Sequence, residues 1–145
     1  MGKGYETRIG AIIGHIITLA EERDEEYDAN RKGPYPLRDS ADVVREAMES
    51  IRLRRDPDAR KAKRPCESKL QEYLLALDPK DLWKVQVVKR AGRDDDDILS
   101  LSRRRQVESH AVTARMMAEE ECLAEDLEKG LAIAKRDGVD LDTDI

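Results

Sequence analysis

The stretch from Asp78 to Asp97, DPKDLWKVQVVKRAGRDDDD, constrains the fold most, because it spells out a helix with its start, apolar face and stop. Asp78 can accept from the first free backbone N–H groups. Pro79 suits the first helical position, where a missing N–H costs nothing, and Asp81 sits near the positive end of the macrodipole. Leu82, Val85 and Val88 or Lys89 line one face. Gly92 then reads as a left-handed stop, with Lys89 and Arg90 in the last turn.

Composition extends this reading to the whole chain. Aromatic residues are 3% of the sequence, with no Phe and a single Trp, so the core must come from Ile, Leu, Val, Ala and Met. That is the make-up of packed helices more than of sheets, and no alternating run is bounded by a hairpin turn. A chain of 145 residues with 41% charged residues has room for one core. The expectation is therefore an all-α fold: a single compact helical domain of about five helices over residues 1–136, with no significant β-sheet. Residues 137–145 read as a frayed acidic tail.

Along the chain, Tyr5, Ile9, Ile12, Ile13, Ile16, Ile17, Ala20 and Tyr27 share one face of a first helix, with Glu21, Glu22 and Arg23 mostly outside it. Gly10 and Gly14 form a narrow stripe that would admit another backbone. Residues 30–37, NRKGPYPL, read as a turn or loop. A second helix, capped by Asp39 or Ser40, carries Val44, Ala47, Met48 and Ile51. Residues 52–65 turn basic, with Pro57 interrupting and Pro65 closing them, which predicts an exposed mobile linker. A third helix, over residues 67–77, bears Leu70, Tyr73, Leu74 and Leu77. The capped helix from Asp78 is the fourth, and the fifth begins at the aspartate run and carries Ile98, Leu101, Val107, Ala111, Ala114, Met117, Leu123, Leu127 and Leu131, with a break on the way.

Two patterns, LLALDPKDLWKVQVVKRAGRDDDD and LAEDLEKGL, lie between Leu70 and Ala132. Over this region the chain resembles a bacterial family known as a domain of unknown function, family 3775. Gly92, Arg93 and Asp94 match its glycine-arginine-acidic helix end. Leu127, Glu128, Gly130 and Leu131 match its later leucine-acidic-glycine-leucine pattern. Lys89 and Arg90 depart from it, standing where bulkier apolar residues belong. The resemblance implies a helical fold and no particular reaction.

Chemistry-bearing constellations are sparse. Zinc needs converging Cys, His or carboxylate ligands, usually with one close pair, whereas His15, Cys66, His110 and Cys122 are isolated in sequence. Asp94 to Asp97 opens like a calcium loop, but Leu99 stands where Gly is needed and Arg105 where Glu is needed, so a helix cap is expected. Asp140, Asp142 and Asp144 have cation-gathering spacing and are read as a solvated tail. No serine or cysteine has a nucleophile's setting, and no glycine-rich phosphate loop is present. Glu119, Glu120 and Glu121 cannot all face one pocket. The expectation is a protein that is not an enzyme and needs no cofactor or metal.

Binding remains. Residues 82–106 have the outline of a helix-turn-helix, with Gly92 in the turn and Arg103, Arg104 and Arg105 on the second helix, and Arg54, Arg55, Arg60 and Lys61 lie in the basic stretch. These seven are the candidate partner-binding residues. Four aspartates at the start of a recognition helix would be driven toward phosphates, and the net charge of −5 adds mild repulsion, so nucleic acid is the alternative partner. The leading expectation is a non-catalytic protein-interaction module, acting as a homo-oligomer or as a binder or inhibitor of another protein, such as a phage or mobile element carries. Two lone cysteines and the short first apolar run lead to a cytoplasmic chain with no membrane contact.

Overall fold

The computed structural model describes residues 7–30 and 40–145. They form eight helices: α1 Arg8–Asn30, α2 Ser40–Arg55, α3 Pro57–Lys63, α4 Pro65–Ala76, α5 Pro79–Asp94, α6 Ile98–Ser102, α7 His110–Glu119 and α8 Leu123–Asp137. No strand occurs among the described residues. The all-α class and compact core stand, and about five helices was an undercount. Extra breaks at 103–109 and 120–122 divide the expected fifth helix into α6, α7 and α8. Tyr5, the cap at Asp39 and the turn at 30–37, apart from its first residue, lie outside the described residues.

Helix α5 is the hub. It packs along α8 and against α6, while α1 lies on α4 and α8, and α4 on α7. The α1 stripe is inside as its spacing predicts: Ile9, Ile13, Ile16, Ile17 and Ala20 are buried and Ile12 packs against the same core. Leu70 and Leu74 of α4, Leu82, Val85 and Val88 of α5, and Leu127 and Leu131 of α8 join it, as do Ile98 and Leu101 of α6 and Ala114 and Met117 of α7.

Asp78 accepts from Lys80 N and Pro79 opens α5 as expected, but the stop differs. Gly92 is inside α5, and the left-handed residue is Asp95, at φ 51° and ψ 50°. The missing side chain of Gly92 serves a different end. A Cβ there would lie 1.8 Å from the Asp126 carbonyl oxygen, and one at Gly130 would lie 2.0 Å from the Val88 carbonyl oxygen. Two glycines facing across the crossing let the α5 and α8 backbones touch. Gly14 has open space instead of a neighbouring backbone.

Two further expectations change. Residues 52–65 are mostly helical: Asp56 accepts from Ala59 N to cap α3, Pro57 sits in its first turn, and Pro65 does the same for α4. Both prolines start helices because the first turn needs no N–H donor from them. Residues 137–145 are docked, not frayed. Gly138 ends α8 at φ 65°, Val139 and Leu141 are buried, and the Asp142 carboxylate accepts from Arg8 N at 2.8 Å and Ile9 N at 2.9 Å. The tail thus caps α1, an acidic group satisfying the free donors of a helix start.

Candidate interaction surface

Helix α2 folds with the periodicity of a buried element and buries almost none of it. Val44, Ala47, Met48 and Ile51 repeat at i, i+3, i+4 and i+7, the spacing of one apolar face. Val44 is 56% exposed, Met48 66% and Ile51 50%, and Val43 beside them is 55% exposed. Leu53 alone of the α2 side chains described is buried. The helix packs on α3, and Lys63 of α3 pairs with Glu49 of α2. The result is an apolar stripe with no partner among the described residues, on a helix held by its C-terminal half.

The candidate basic residues divide by position. Arg54 and Arg55, in the last turn of α2, are exposed and have no ion pair among the described residues. Lys61 is held by Glu72 at 2.9 Å. Arg60 turns inward: its guanidinium meets Glu67 Oε1 at 2.5 Å and Glu119 Oε1 at 2.7 Å. Burial alone would lower the Arg60 pKa, and the hydrogen bond and charge of Glu67, followed by the charge of Glu119, reverse this and leave it raised. Arg103, Arg104 and Arg105 are exposed in the segment after α6, not on a recognition helix. Arg104 reaches Asp96 at 3.9 Å. Because Gly92 is helical and the arginines are not, the helix-turn-helix outline is not formed. α6 packs on α5 whereas α2 packs on α3, so the two basic groups belong to different parts of the fold.

Arg60 belongs to a polar cluster that sequence reasoning missed. Glu67, 1% exposed, accepts from Arg60 and from Tyr27 Oη at 2.9 Å. Glu26 accepts from Cys66 N at 2.8 Å and from Glu67 N at 3.4 Å, capping α4. The Arg23 and Arg64 guanidinium carbons each lie 5.4 Å from the centroid of the Tyr27 ring. The cluster fastens α3 to the core, which fixes α2 in turn. Its members run from Arg23 to Glu67 without a spacing pattern, so only the fold brings them together. The three consecutive glutamates do face different ways: Glu119 meets Arg60 and Glu120 meets Lys89.

Burial raises the Tyr27 pKa, and the negative charge of Glu67 and its hydrogen bond raise it further, against the opposing charges of Arg23 and Arg64. A folded-state value above the unfolded value of about 10 means that the stabilisation is complete below pH ~10 and is lost as pH rises through the folded value. Tyr27→Phe is expected to cost about 1.5–3 kcal/mol at neutral pH, the range for a hydrogen bond to a charged group. It should also flatten the alkaline limb of a melting-temperature profile. Parallel profiles for the two proteins up to pH 12, offset by a constant, would show that this hydroxyl does not titrate with folding.

No group of three or more His, Cys, Asp or Glu that could hold a metal ion occurs among the described residues. Cys66 and Cys122 are free thiols. Among the described residues no helix is long and apolar enough to cross a membrane. Compared with known proteins, the chain matches no family model, no curated protein and no solved structure.

Proposed function

We propose that this chain is a non-catalytic interaction module that self-associates through α2, two copies pairing their helices antiparallel. The observation that carries the reading is the exposed stripe of Val44, Met48 and Ile51 at helical spacing. Solvated apolar side chains in a contiguous row mark association surfaces more often than idle surface. The charge order selects a second copy as the occupant. Residues 40–48 carry Asp42, Arg45 and Glu46, a sum of −1, while residues 49–55 carry Glu49, Arg52, Arg54 and Arg55, a sum of +2. Antiparallel pairing brings each half against the oppositely charged half of its partner, and a two-fold axis makes the contact self-complementary. The nucleic-acid reading is weakened because Arg60, Lys61 and Lys63 are already held by carboxylates.

Sedimentation across a dilution series is expected to give twice the protomer mass of 16.5 kDa. Met48→Glu with Ile51→Glu should give the single mass with the melting of the folded core unchanged, since neither side chain is buried. Arg54→Glu with Arg55→Glu should weaken the dimer and reduce its sensitivity to salt. A monomeric wild type, or a dimer that survives the Met48/Ile51 change, defeats the proposal. Duplex binding at physiological salt that is lost with Arg54 and Arg55 would put nucleic acid first.

A further inference from the structure

Among the described residues, helices α2 and α3 are joined to the rest of the fold by charge more than by apolar packing. The α3 sequence, PDARKAK, offers nothing apolar larger than Pro57 and two alanines, and none of its residues is buried. Leu53, the buried side chain of α2, stands outside the apolar core that α1 and α4 to α8 share.

What fastens the pair is the side chain of Arg60. Its Nε and Nη2 donate to Glu67 Oε2 and Oε1 at 3.1 and 2.5 Å, and Nη2 also meets Glu119 Oε1 at 2.7 Å. One guanidinium thus ties α3 to the start of α4 and the end of α7. Lys61 adds an exposed pair with Glu72, which contributes little in water. Behind the clasp the chain is held independently of α3, because Glu26 of α1 accepts from Cys66 N and Glu67 N. Arg64, seated over the Tyr27 ring, ends α3 and precedes α4 without a side-chain cap, and is the joint between the two parts.

We propose that α2 and α3 open and close as one unit latched by Arg60, and that ionic strength sets how firmly the unit is shut. Segments with few buried apolar contacts open at a lower free energy than the whole domain. Helices of sixteen and seven residues are marginal alone, so release of the clasp frays both. Glu119 is 38% exposed, which leaves its half of the clasp open to screening by salt. The consequence for regulation rests on the reading of α2 as the pairing surface: only the shut unit presents the stripe on a formed helix, so latching and pairing favour one another.

Hydrogen exchange followed by mass spectrometry reads the latch in the Met48→Glu/Ile51→Glu protein, where pairing does not interfere. Residues 40–63 are expected to exchange well before α5 and α8. Their rate relative to α5 should rise about threefold or more between about 0.1 and 1 M salt, as the screening length falls from about 10 to 3 Å. Adding Arg60→Met should raise that ratio about tenfold or more at low salt, the range for losing a hydrogen bond to a charged group, and remove most of the salt dependence. Arg60→Lys, a point charge without the two-pronged geometry, should fall between them. The salt series needs no change at Arg60, so it decides even if Arg60→Met does not fold. Exchange of residues 40–63 in step with α5, a ratio indifferent to salt, or a ratio unchanged by Arg60→Met overturns the latch. In the wild type, exchange of residues 40–63 should slow as concentration rises through the dimer range. A dimer without that slowing overturns the link to pairing, whereas a wild type that stays at the single mass defeats self-association and leaves the latch to be judged by the salt and Arg60 series.

Discussion

Gly130→Ala is expected to destabilise the domain by about 3 kcal/mol or more, at the upper end of what overpacking costs. That corresponds to roughly 10 °C of melting temperature for a chain of this size. The new Cβ would stand 2.0 Å from the Val88 carbonyl oxygen and 2.6 Å from Val88 Cγ1. The nearest obstacle is backbone, which cannot rotate away, so α5 and α8 must separate along their whole contact. Gly92→Ala meets the same problem from the other side, with the Asp126 carbonyl oxygen at 1.8 Å and Gly130 N at 2.6 Å. The double variant should cost less than the sum of the two, because helices already forced apart accommodate the second methyl more easily. Gly14→Ala is the control. It is helical, nothing lies within 4 Å of its added Cβ, and it should gain up to about 1 kcal/mol from improved helix propensity. Equal melting of Gly130→Ala and wild type would mean that the two backbones do not touch as described.

These glycines show where the sequence was legible and where it was not. Helix α5 could be placed from Asp78 and Pro79 because capping is local chemistry, decided within four residues. Its end was misplaced because Gly92 satisfies a local rule for stopping and a tertiary rule for close approach, and periodicity cannot tell which applies. The tertiary partner, Gly130, is thirty-eight positions away. Pro57 and Pro65 failed in the same manner: a proline in a basic stretch suits a break or a first turn equally well. The basic charge suggested exposure, but Arg60 found Glu67 and Glu119. The tail failed through Asp142, whose partners are the first amides of α1. An apolar stripe was readable on α2, while its lack of a partner among the described residues was not. Lys89, which stood out as a misplaced polar residue, is answered by Glu120, thirty-one positions away.

Arg23→Ala is expected to cost about 3–5 kcal/mol, the range for breaking a buried charged network, although periodicity placed Arg23 largely outside the apolar face. The side chain is fully buried. Its Nη1 donates to Ala118 O at 2.8 Å and its Nη2 reaches Glu121 O at 3.4 Å, so one guanidinium satisfies carbonyls at the end of α7 and in the turn beyond it. Asp24 balances the charge, with Oδ1 at 2.8 Å from Nη2. A cation at a helix C-terminus also meets the negative end of the macrodipole. Truncation removes the donors, leaves buried carbonyls unpaired and opens a cavity the size of the lost chain. Arg23→Met separates these costs: it restores most of the volume but none of the donors, so it should recover part of the loss while remaining well below wild type. Denaturant unfolding at constant m-value would measure both, and hydrogen exchange should show the end of α7 losing protection before the rest of the domain. A loss under about 0.5 kcal/mol for Arg23→Ala, the level of an ordinary surface change, would mean that the end of α7 is held by other contacts. With a large loss, α1 becomes the element that sets the position of α7, and through it the place of Glu120 opposite Lys89.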